Sequence, residues 1–166
     1  MGRFEASLVD GKMTEKKENN GAVRRPVRAS SPRTGSTRKG GRTNRAADAE
    51  EARKLALVVA GAALEKKALA VEILDVVGKV DYADFLVLMT GRSNRHVDSL
   101  AQSIEEACAK KKKRALSVEG TAASAWILID FGDVVVHVFQ EDARRLYDIE
   151  GLWLDAKRLP VPGQTP

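Results

Sequence analysis

The chain has 166 residues and a formal charge of +5, room for one ordinary domain and a tail. The charge divides unevenly: residues 1–18 are neutral, residues 19–47 hold eight basic and no acidic side chains, and residues 48–166 hold 16 basic and 19 acidic ones. The part able to fold is therefore mildly acidic, which argues against a general nucleic-acid binder with a basic field of its own.

Residues 1–47 lack apolar periodicity and are rich in Gly, Ser, Pro, Asn and Arg, so they are read as a disordered basic N-terminal extension. Met13 is a second candidate start. The folded domain is placed at 48–166. Its first element is a helix from Asp48, with acids in the first turn, Lys66 and Lys67 at its end, and Leu55, Val58, Val59, Ala62 and Ala63 at helical spacing. The β-branched run Val71–Val77 predicts a strand, ended by Gly78. Phe85–Met89 is continuously apolar, as a strand buried on both faces would be. After Thr90–Asn94, where Ser93 or Asn94 can cap, a second helix lines up Val97, Leu100, Ala101, Ile104 and Cys108. Ala115–Val118 and Ala125–Asp130 read as strands, Phe131–Asp133 as a hairpin turn, and Val134–Phe139 as the returning strand. Glu141–Tyr147 predicts a last helix. The order αββαβββα implies an α/β domain around a mixed sheet.

Several functional classes lack their signatures. The apolar runs fall well short of the roughly 20 residues that span a bilayer. The lone Cys108 makes no internal disulfide and suggests a reducing compartment, and no apolar secretory signal opens the chain. Acids at Glu5, Asp10, Glu15 and Glu18 sit poorly with a transit peptide, so a cytoplasmic, bacterial setting is expected. No GxxxxGK[ST], GxGxxG, HExxH or CxxC occurs, so no catalytic residue, metal ligand or cofactor is assigned. His137, inside VVVHVF, suits a structural or interface role better than catalysis, and His96 reads as a surface residue. Asp81 with Asp84, and Asp130 with Asp133, could flank a magnesium ion, but Asp is also an ordinary turn residue. Trp126 follows small residues (Ala122–Ala125) and shares a strand face with Leu128, where core and interface readings stand level.

Five segments act together: DYADFLV (81–87), TGRSNRHV (90–97), VEG (118–120), WILIDFGDVVVHVF (126–139) and RLYDIEGLW (145–153). In this order and spacing they closely resemble the ribosomal silencing factor, or Iojap-related, family over about residues 52–156. Phe131 stands where Tyr is frequent, and Gly151 where a longer side chain is usual. The resemblance implies a mixed sheet of about five strands flanked by helices, nucleotidyltransferase-like in shape, with no enzymatic activity. It further implies binding to the large ribosomal subunit through ribosomal protein uL14, a block to small-subunit joining, and repression of translation under nutrient limitation. The resemblance points to Trp126 for the protein contact; Asp130, Asp133, Asp148 and Glu150 would add charges complementary to a basic ribosomal protein, and Tyr147 and Trp153 complete the expected contact residues. An rRNA contact by the basic tail and a homodimer off the ribosome are further partners left open; no membrane contact is expected. Two alternatives stand beside this reading. One is a nucleotidyltransferase-like enzyme, although Asp98 has no second carboxylate at the required spacing. The other is an RNA-binding module driven by the tail.

Overall fold

Helix α1, Arg42–Glu65, is the first element of the computed structural model, which describes residues 42–120 and 123–164. It begins six residues ahead of Asp48. Arg42–Ala47 contain adequate helix formers but no apolar stripe, so periodicity does not announce them. The earlier start takes the acids out of the first turn, and Lys66 and Lys67 fall beyond the last; the dipole argument therefore does not apply to this helix. The expected disordered segment up to residue 41, and Thr121 and Ala122, lie outside the described residues.

The remaining elements are β1 (Leu69–Asp75), β2 (Phe85–Gly91), α2 (Asn94–Lys110), β3 (Ser117–Glu119), β4 (Trp126–Asp130), β5 (Val134–Gln140), α3 (Glu141–Tyr147), α4 (Ile149–Leu152) and β6 (Lys157–Leu159). They form a mixed sheet in the order β3-β4-β5-β2-β1-β6. The central pair β2 and β5 is parallel; the other neighbours run antiparallel. All seven residues of β2 are buried, as its unbroken apolar run requires. The sheet has six strands where about five were expected. The extra one, β6, is the three-residue segment Lys157-Arg158-Leu159 on β1, too short and too charged to show a strand pattern.

The two faces of the sheet are covered unequally, and this positions the site. One face packs Ile73, Phe85, Val87, Met89, Ile127, Ile129, Val136 and Val138 against α1 and α2, helices of 24 and 17 residues. Val97, Leu100, Ala101, Ile104 and Cys108 form the buried stripe of α2, and the Ser93 hydroxyl caps it by accepting from His96 N. His96 is no free surface residue: its Nδ1 accepts from Arg92 N at 3.0 Å, and its Nε2 lies 2.7 Å from Lys66 O. It clasps the end of α1 to the start of α2. The other face carries Leu74, Leu86, Leu88, Val135 and Phe139. There α3 and α4, of seven and four residues, supply a thin cover through Ala143, Ile149 and the neighbouring Trp153.

Candidate binding face

The site grows from strand alternation. In β4, Ile127 and Ile129 are buried against the helix-covered face, while Trp126 and Leu128 pack on the thinly covered one. Antiparallel pairing sets Trp126 opposite Phe139 and Leu128 opposite His137. His137 and Phe139 lie nearly parallel, with an interplanar angle of 6° and centroids 5.7 Å apart. Trp126 stacks over both at 5.8 and 5.3 Å. Tyr147, at the end of α3, tilts against the indole at 4.5 Å. Trp126 is partly exposed, so it is shared between core and surface: three rings hold it, and its accessibility does not come from small neighbours alone.

Asp148 stands between the two short helices in the left-handed region, φ 41°, and its side chain accepts from Gly151 N at 3.2 Å to cap α4. Gly151 suits that cap, because a Cβ there would lie 2.2 Å from Asp148 Oδ2. Glu150 is not a free acid: its carboxylate is held by Arg144. Trp153 packs on the second core cluster and is partly exposed. Trp126, Tyr147, Asp148, Glu150 and Trp153 thus gather around α3 and α4. Asp130 and Asp133 do not join them. They sit at the far end of β4, about 13 Å along the strand at roughly 3.3 Å per residue. There Asp130 Oδ1 accepts from Gly132 N at 2.7 Å in the hairpin turn, and Gly132 has φ 94°. Asp133 is exposed, and its carbonyl accepts from Asp84 N and Phe85 N. Burial, and then the charge of Asp133, push the Asp84 carboxyl above its ordinary range.

Sequence reasoning passed over Arg144. Its side chain is 12% exposed, and it pairs with Glu150 and, at 3.6 Å, with Glu72. It also donates to Ala70 O at 2.6 Å and Thr90 Oγ1 at 2.9 Å. Ala70 lies at a β1 irregularity with φ 46°, which turns its carbonyl to the guanidinium. Thr90 is thereby an acceptor for Arg144 and Ser93 a cap, so the Thr90–Ser93 loop has structural work. A cluster spanning Glu72, Thr90, Arg144 and Glu150 has no local spacing by which to be found.

Pattern reading also missed the exposed apolar side chains of the segment 141–155. Leu146, Leu152 and Leu154 are 77%, 69% and 78% exposed, and Tyr147 49%. Residues 141–155 hold five acids against two arginines. The segment therefore presents large apolar side chains to solvent and carries a net negative charge. Cys108, by contrast, is fully buried, and burial followed by the charge of Glu105 pushes its thiol up to about 11. Among the described residues no group of three or more His, Cys, Asp or Glu is arranged to hold a metal ion, and no helix is long and apolar enough to cross a membrane.

Comparison with known proteins agrees with this architecture. The family model described as "Ribosomal silencing factor during starvation" matches residues 49–166. A ribosomal silencing factor of Halalkalibacterium halodurans is 36% identical over 99 residues, covering 60% of this chain and 85% of the relative. A mouse protein named for mitochondrial assembly of the ribosomal large subunit is 29% identical over 84 residues, 49% of this chain and 37% of the relative. A crystal structure of a protein from Chromobacterium violaceum superposes with a TM-score of 0.58 at 33% identity, covering 70% of this chain and 88% of that one.

Proposed function

The chain belongs to the ribosomal silencing factor family, and from that premise we propose that it binds the large ribosomal subunit through ribosomal protein uL14, bars the small subunit from joining, and so represses translation when nutrients are scarce. The observation that carries the reading is the thinly covered sheet face. Trp126 and Tyr147 are in contact there, and the short helices and the turn after them carry Leu146, Leu152 and Leu154, three large apolar side chains open to solvent. Exposed apolar clusters of this kind mark docking surfaces, and aromatic anchors with an acidic surround suit a basic ribosomal protein. The name of the mouse relative, which refers to the large subunit, points the same way.

Within the site, Trp126, Tyr147 and Trp153 act as anchors. Asp148 steers by charge while capping α4. Glu150 acts through Arg144, by holding α4 against α3. Asp130 and Asp133 mark a separate acidic edge at the hairpin, which meets the partner only if the contact extends the length of β4. The basic segment 19–47 adds a salt-sensitive contact to rRNA phosphates. A steric block needs no catalytic group.

Co-sedimentation with separated subunits tests the proposal. The purified chain should travel with the large subunit alone and lower the yield of joined ribosomes on adding small subunits. Binding to neither subunit, or binding without any effect on joining, would contradict it. Removing residues 1–41 should weaken large-subunit binding modestly and more at low salt; complete loss at every salt would make the tail the binding element.

A further inference from the structure

We propose that His137 is a positioning residue of the binding face: its Nδ1 holds the Trp126 indole by the N–H, so that the indole offers a partner only carbon. The proposal rests on the reading above that this face docks a ribosomal protein, and adds a residue that acts through the anchor without touching the partner.

The argument begins from an oddity of sequence. β5 reads VVVHVFQ, and six of its seven positions are buried. His137 is 7% exposed, one of two buried polar or charged residues in the described chain. An imidazole in such a place costs more than the Val, Leu or Phe that would fill the same space, unless its nitrogens are used. One of them is: Trp126 Nε1 donates to His137 Nδ1 at 3.2 Å. The residue paired directly across from His137 is Leu128, so the imidazole reaches the diagonal neighbour, a span aromatic side chains can bridge. The His137 and Phe139 rings are nearly parallel, and the indole packs with both at 22–23° to their planes. The stack fixes the plane of the indole. The hydrogen bond fixes its rotation within that plane, which stacking alone leaves free.

That rotation decides what a partner meets. Indole has one polar atom, a donor only. With that donor engaged by a buried acceptor, the exposed part of Trp126 is carbon, the character of an anchor that fills an apolar pocket. Turned the other way, the N–H would face the partner and need an acceptor there. Nδ1 accepts only if the ring proton is on Nε2, so the imidazole must be neutral. Burial favours that state, pushing the His137 pKa down to about 4.

The test uses the full chain, purified uL14, and three variants: His137→Phe, which keeps a ring of similar size but no acceptor; His137→Asn, whose Oδ1 stands close to where Nδ1 was; and Trp126→Phe, which removes the donor. Affinity for uL14 and the indole N–H resonance are both read. His137→Phe should weaken binding about tenfold, equivalent to about 1.4 kcal/mol, and shift the Trp126 resonance, with folding checked by a thermal melt. His137→Asn should recover most of both. In the Trp126→Phe background, His137→Phe should have no further effect on affinity, which a merely structural role would not produce. A folded His137→Phe protein that binds like wild type overturns the proposal, as does an equal loss in the Trp126→Phe background. Should His137→Phe not fold, His137→Asn decides: a bonded indole resonance with near-wild-type affinity supports the proposal, and a displaced resonance with full affinity overturns it. If wild type itself fails to bind uL14, the docking reading falls and this one with it; wild-type binding with an indifferent His137 sinks this one alone.

Discussion

Replacing Arg144 by Ala should cost more stability than any other single substitution of a charged residue in the described domain. The side chain is 12% exposed and joins four groups, three of them from distant parts of the chain: the carboxylates of Glu150 and Glu72, the Ala70 carbonyl and the Thr90 hydroxyl. Truncation removes the guanidinium from all four at once. Fully buried pairs broken from one side cost about 3–5 kcal/mol, but Glu72 and Glu150 are 33% and 19% exposed and regain some water. Glu72 also keeps Arg158 at 3.0 Å. The expected loss is about 2–4 kcal/mol, a fall in Tm of roughly 8–16 °C for a domain of this size. Arg144→Lys should recover less than half, since an ammonium cannot fork between a carboxylate, a carbonyl and a hydroxyl. Thermal and urea melts of the three proteins at one pH and salt concentration measure this. A fall of less than about 3 °C in Arg144→Ala would refute the claim that this network ties α3 to β1, β2 and α4.

Three other expectations follow from single residues. The unfolded His137 imidazole gains a proton near pH 6.5 and the folded one only near pH 4, so between these values the unfolded state binds more protons; stability should be full above pH 6.5 and decline toward pH 4 by up to about 3 kcal/mol, a component that subtracting the pH profile of His137→Asn should isolate. Cys108 is fully buried with a thiol pushed up to about 11, so it should resist thiol reagents at pH 7.5 in the native state and react on unfolding, while Cys108→Ala should cost about 1–2 kcal/mol in a melt and leave the block to subunit joining intact. Ala70 sits at φ 46°, so Ala70→Gly should stabilise by about 0.5 kcal/mol and Ala70→Val should destabilise, as melts of both would show.

Much of the fold was legible because local patterns carried it. The stripe Val97, Leu100, Ala101, Ile104 and Cys108 follows from helical spacing, and the split of Trp126 and Leu128 from Ile127 and Ile129 follows from strand alternation. Long-range pairing hid the rest. β6 has the composition of a loop and is a strand only because β1 offers Ile73–Asp75 as a partner. Arg144 looks like a solvated charge on a short helix, and its partners Glu72 and Thr90 lie 72 and 54 residues earlier. His96 likewise read as a surface residue because Lys66 O, its acceptor, is 30 residues away. In the candidate binding face, the positions of Trp126 and Tyr147 belong to segments that stood out by motif. That Glu150 is engaged with Arg144, and that Asp130 and Asp133 lie at the other end of β4, required the folded structure. The apolar exposure of Leu152 and Leu154 did too, because four-residue α4 is too short to show an amphipathic period.

The most direct test of the binding face is the affinity of purified uL14 for the wild-type chain and for Leu152→Arg. Leu152 is 69% exposed, so the substitution should leave the melt within about 2 °C of wild type. At a docking face for a basic protein it removes an apolar contact and adds a like charge, which should weaken binding at least about thirtyfold, or about 2 kcal/mol. Equal affinity for the two proteins would place the contact elsewhere on the molecule, and no measurable affinity of the wild-type chain would contradict the account at its root.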